Sequence, residues 1–113
     1  MDNCIFCNIY AGSIPAKIVL QSNHCFVIED ISPKAPVHML IIPNVHVNSL
    51  FEIPTLNHSL SADIFETASK IANSENLSGR GYRLVLNQGP DAGQTVEHMH
   101  IHLLGGQVLG EMG

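Results

Sequence analysis

Val96-Glu-His-Met-His-Ile-His-Leu-Leu104 sets three histidines two residues apart, with an apolar residue after each. A strand alternates its side chains, so His98, His100 and His102 fall on one face and Met99, Ile101 and Leu103 on the other. The apolar row has a ready destination, a core beneath a helix. The imidazole row requires a chemical one. Three roles compete for it: locally satisfied half-buried residues, zinc ligands, and catalytic groups. Residues two apart on a strand are separated by roughly 6.7 Å, so His98 and His102 start about 13 Å apart. With Zn–N near 2 Å, at most a pair of the three shares one ion. Neutral imidazole, in contrast, is a nucleophile toward phosphorus, and a neighbouring imidazolium can protonate a leaving group and hold anionic oxygens.

The segment just before supports phosphate. In Gly89-Pro-Asp-Ala-Gly-Gln-Thr-Val96 the glycines let backbone N–H groups approach an anion, and Thr95 adds a hydroxyl. Further out, Tyr82–Asn87 reads as a strand and Val96–Leu104 as the last one. The long helix lies between Pro54 and Gly79, where Leu60, Ile64, Ala68, Ile71 and Ala72 recur at helical spacing, and Thr55 or Asn57 can cap its start. Lys17–Gln21 and Cys25–Glu29 read as a hairpin around Ser22-Asn23. Val37–Ile42 is a nearly continuous apolar strand ended by Pro43, and residues 4–10 make a short helical turn that stops at Gly12. The order β-β-β-α-β-β predicts an α+β fold, with an antiparallel five-stranded sheet, one long helix and a short N-terminal helix.

At 113 residues the chain is expected to form one domain, 1–113. Only 13% of residues are charged, which hints at surface covered in an oligomer. The net charge of −5 without a Lys/Arg run argues against a nucleic-acid polymer or a membrane surface as partner. No apolar run approaches the ~20 residues of a membrane span. Three cysteines and no signal-peptide pattern point to a reducing cytoplasm. Cys4-x-x-Cys7 has two readings, a redox pair or half of a structural zinc site; no strand precedes it, as a thioredoxin-type pair requires.

Taken together, these segments resemble the histidine-triad (HIT) superfamily, closest to its Hint-type nucleotide-binding phosphoramidases. The motif His-φ-His-φ-His-φ-φ, with φ apolar, is met in full by His98–Leu104. The likeness continues through Cys4–Ile9, Ile14–Lys17, Asp30–Pro33, His38–Pro43, Asn87, Gly93–Val96 and Gly105-Gly106. It implies a HIT-like fold paired across a homodimer, and hydrolysis of purine nucleoside (AMP-like) phosphoramidates. His100 is then the nucleophile at the α-phosphorus, with His102 and His38 contacting phosphate and handling protons. Asn87, Gly93, Thr95 and Val96 are the implied phosphate ligands and Asp30 the ribose ligand. Ile5, Phe6, Ile9 and Ile28 are the implied base-pocket lining. The resemblance also implies a Cys2His2 zinc site from Cys4, Cys7, His46 and His98, and no organic cofactor. Two alternatives share the same residues: a hydrolase of dinucleoside polyphosphates or adenylylated intermediates, and a non-enzymatic nucleotide-binding module. Gln107–Gly113 departs from the Hint pattern in having no aromatic residue, which leaves leaving-group preference open.

Overall fold

A computed structural model describes residues 3–53 and 58–113. Helix α1 (Ile5–Tyr10) is followed by strands β1 (Ile18–Gln21), β2 (Cys25–Glu29) and β3 (Val37–Pro43). Helix α2 is described over His58–Ser74, and β4 (Tyr82–Val85) and β5 (Ile101–Gly105) complete the chain. The five strands form one antiparallel sheet in the order β1-β2-β3-β5-β4. Thr55 and Asn57, the expected caps of α2, lie outside the described residues.

The sheet separates two apolar clusters. Leu60, Ile64, Ala68, Ile71 and Ala72, the α2 stripe, pack on Val27, Met39, Ile41, Met99, Ile101 and Leu103. On the opposite face, Phe6 and Ile9 of α1 pack on Phe26, Ile28, Leu40 and Ile42. β3 is buried on both faces, and it lies at the centre of the sheet between β2 and β5. Gly105 is where α2's exit loop approaches the sheet: a Cβ there would lie 2.8 Å from Leu77 Cδ1.

β5 is shorter than the sequence implies, starting at Ile101 rather than Val96, and β4 ends at Val85 rather than Asn87. Residues 98 and 99 leave the ladder because other partners hold them. The Met99 amide donates to Val47 O at 2.6 Å, and the His98 ring bonds Pro43 O at 2.9 Å. The alternation of sides survives this departure. Met99, Ile101 and Leu103 all reach the α2 core, while the histidines stay on the other side.

Candidate nucleotide site and metal cluster

On the α1 side of the sheet is an open cavity of about 710 Å³. Helix α1 contributes Ile5, Phe6 and Ile9, and the end of β2 contributes Ile28 and Asp30. The connection from β4 to β5 brings Asn87, Gly93, Thr95 and Val96, and His100 and His102 complete that wall. Residues from four separate stretches of sequence thus meet around one space of the size that small-molecule sites occupy.

His100 is buried, and its Nδ1 lies 2.8 Å from the carbonyl oxygen of His98. A carbonyl only accepts, so Nδ1 carries the proton and Nε2 keeps its lone pair. The edge of the Phe6 ring, 5.2 Å away between centroids, braces the imidazole. The ring of His102 lies 5.1 Å from that of His100.

A directed chain of hydrogen bonds stands behind His102. The Lys34 amide donates to His38 Nδ1 at 3.0 Å, which leaves His38 Nε2 as the protonated nitrogen of the neutral ring. That nitrogen faces His102 Nδ1 at 2.9 Å and Asp30 Oδ2 at 3.4 Å. His102 Nδ1 therefore accepts, and its proton resides on Nε2. Burial, then the neighbouring His100 and His38, push His102 down to about 4. Burial also lowers His38, against the opposing pull of Asp30. His38 itself is not on the cavity wall; it reaches the site through His102.

The 89–96 connection is held by a side chain that the sequence reading did not single out. The Gly89 amide donates to Gln94 Oε1 at 2.8 Å, and Gln94 Nε2 donates to Val96 O at 3.1 Å. Gly93 sits in the left-handed region at φ 81°, where a side chain would be strained. Gln94 also borders the cavity, as do Lys17 and Ile31, for which no role was foreseen. The sequence marks them only as members of Ile14–Lys17, Asp30–Pro33 and Gly93–Val96.

A second cluster lies beside the first. Cys4 Sγ is 3.3 Å from His98 Nδ1, and Cys7 Sγ is 3.6 Å from the same atom and 3.3 Å from His46 Nδ1. All four ligand atoms lie within 4.8 Å of one another. Tetrahedral Zn–S and Zn–N bonds imply ligand-to-ligand edges of about 3.5 Å, so the set fits. The His98 ring is also turned correctly. Its Nε2–H donates to Pro43 O, which leaves the Nδ1 lone pair facing both sulfurs. Burial is the leading cause that raises the Cys7 thiol, a cost that a bound cation removes. Asp30, His38 and His102 form another close group. There the Lys34 amide keeps a proton on the His38 nitrogen that would have to ligate, and the group is a hydrogen-bonded triad instead.

Comparison with known proteins adds to this geometry. The HIT domain model matches residues 11–109. The chain is 39% identical over 111 residues to the purine nucleoside phosphoramidase of Escherichia coli K12, covering 98% of this chain and 93% of that protein. A HIT-like protein of Buchnera aphidicola is 44% identical over 108 residues, covering 96% and 95% of the two chains. A HIT family hydrolase from Clostridium thermocellum superposes with a TM-score of 0.92 at 42% identity, covering 99% of this chain and 97% of its own.

Proposed function

We propose, from the premise that this chain belongs to the HIT domain family, that it hydrolyses nucleoside phosphoramidates at the α-phosphate of purine nucleotides. The observation that carries the reading is the state of His100: its Nδ1 proton is held by the His98 carbonyl, so Nε2 presents a lone pair at the wall of a nucleotide-sized cavity. The likeness to the E. coli purine nucleoside phosphoramidase supports the substrate class.

His100 Nε2 attacks phosphorus and the P–N bond breaks, which forms a nucleotidyl-histidine. The departing amine takes the Nε2 proton of His102, whose Nδ1 is held by the His38 Nε2–H as charge builds on the ring. Water then attacks the same phosphorus and returns a proton to His102 Nε2, and the nucleoside monophosphate leaves while His100 regains its lone pair. The Gly93 and Val96 amides and the Asn87 and Thr95 side chains surround the phosphoryl oxygens as charge develops. Asp30 accepts from the ribose hydroxyls, and Ile5, Phe6, Ile9 and Ile28 cover the base. Cys4, Cys7, His46 and His98 would hold zinc, which supplies a structural cross-link between α1 and the approach to β5.

The homodimer is assigned to the opposite side of the sheet. There β4 is an edge strand, and an apolar groove of about 300 Å³ beside it is bordered by Ile64, Phe65, Leu84 and Leu86. Phe65, on the rim of that groove, is 66% exposed, so the groove and the ring form one apolar patch. Sedimentation of wild type and Phe65→Glu tests it; a monomeric wild type refutes this assignment.

Rapid-quench mass spectrometry tests the chemistry. An AMP phosphoramidate should leave a nucleotidyl adduct on His100. An adduct formed only from a dinucleoside polyphosphate would move the substrate class, and tight AMP binding without turnover of either would make the protein a binding module.

A further inference from the structure

We infer that Cys4 and Cys7 are a peroxide-sensitive modification site whose oxidation to a disulfide releases the metal and weakens nucleotide binding. The inference rests on the proposed metal centre and nucleotide cavity. Three observations carry it.

First, the cluster is reachable. Cys4 and Cys7 are thiols with partial exposure, whereas Cys25 is 0% exposed. The pair sits three residues apart across the first turn of α1, and the Cys7 amide points at Cys4 Sγ at 3.4 Å, so the sulfurs share one side of the helix. That placement is compatible with a disulfide.

Second, the cluster holds a cavity wall. Helix α1 has six residues, far too few to persist without outside contacts. It also precedes the residues matched by the HIT domain model. What ties it to the triad is Cys4 against His98, Cys7 against His46 and His98, and the packing of Phe6 and Ile9. Ile5, Phe6 and Ile9 are cavity wall in the same helix.

Third, the cluster is one residue's width from the nucleophile. His98 faces the sulfurs with its ring and accepts the His100 Nδ1 proton with its carbonyl. Phe6 touches both rings, at 5.6 Å from His98 and 5.2 Å from His100.

The step balances with a hydroperoxide as oxidant. One thiolate attacks the peroxide oxygen and becomes a sulfenic acid as the O–O bond breaks. The second thiolate attacks that sulfur, forms the S–S bond and expels hydroxide, which is protonated to water. Hydrogen peroxide accepts two electrons and ends as two waters. Disulfide sulfurs carry no thiolate charge, so the metal loses half its ligands and leaves.

The test uses the protein purified without chelator, treated with hydrogen peroxide and then with dithiothreitol plus zinc. Peptide mapping reads the Cys4–Cys7 bond, a chromogenic chelator reads zinc, calorimetry reads AMP affinity, and hydrogen exchange reads the α1 amides. Expected are a Cys4–Cys7 disulfide, stoichiometric zinc release, AMP affinity lower by at least about tenfold, and faster exchange in α1, all reversed by reduction. A disulfide that leaves AMP affinity and α1 exchange unchanged overturns the coupling. Cys4 and Cys7 still reduced while Cys25 or methionines oxidise overturns the site. Protein isolated without zinc defeats the metal reading alone, because the disulfide, α1 and AMP readouts still decide the rest. Protein that never binds AMP defeats the nucleotide reading and with it the claimed consequence, and the mapping still decides the modification site.

Discussion

The two faces of the one sheet differ in what they ask of a side chain. On the α2 face, Ile41 and Leu103 are wholly buried in an apolar layer that offers only packing. On the α1 face, the same two strands present Leu40 and His102, and the packing opens into a cavity where imidazole, carboxylate and amide groups join an apolar lining. Alternation along β3 and β5 lets one strand serve both, since a stiff apolar face fixes the backbone from which the reactive face projects. Stability and chemistry are therefore separable here, and the separation can be tested one residue at a time.

The largest effect is expected from His100→Ala. It should lower phosphoramidate turnover by more than about a thousandfold while AMP binding, measured by calorimetry, changes little. Turnover near wild type would mean the nucleophile is elsewhere. On the other face, Leu103→Ala should cost about 2–5 kcal/mol in urea unfolding, with kcat/KM of the surviving folded protein largely kept. A comparable loss of AMP affinity would show that the faces are not independent.

His38→Ala sharpens the contrast within the reactive face. Because His38 acts through His102, kcat should fall by about 10- to 100-fold with KM nearly constant; a rise in KM alone would put His38 on the substrate instead. The smallest effect concerns acid. An unfolded histidine takes up its proton near 6.5, but folded His102 holds out to about 4. The unfolded chain thus binds more protons in this interval, so the stability due to His102 is complete above about 6.5 and is lost as pH falls toward 4. Urea midpoints across that range should decline, and the decline should be shallower in His102→Gln. Equal slopes would dismiss His102 as the source.

Legibility followed the kind of information each feature needs. β2 and β3 were readable nearly to the residue because apolar runs there are bounded by turns and prolines. The α2 stripe was readable from spacing alone. The start of β5 was not, since periodicity continues through Glu97 to His100 while the Met99 amide and the His98 ring are claimed by Val47 and Pro43. Gln94 was equally invisible: nothing in its local pattern marks a side chain that bonds Gly89 and Val96.

The sequence by itself determined the side to which each residue of 98–103 points, because a period of two leaves no other choice once Met99, Ile101 and Leu103 must be buried. The resemblance read from it also brings out Cys4, Cys7, His46 and His98, which the structure places together. Only the tertiary structure decided which imidazole meets which partner and where each ring keeps its proton. Those states are set by groups remote in sequence: Pro43 O on His98, His98 O on His100, and the Lys34 amide acting through His38 on His102. A carbonyl can only accept and an amide N–H can only donate, so their placement in space leaves His98 Nδ1 and His100 Nε2 with lone pairs and His102 Nε2 with a proton, the states that the proposed roles in metal ligation, attack and proton delivery require.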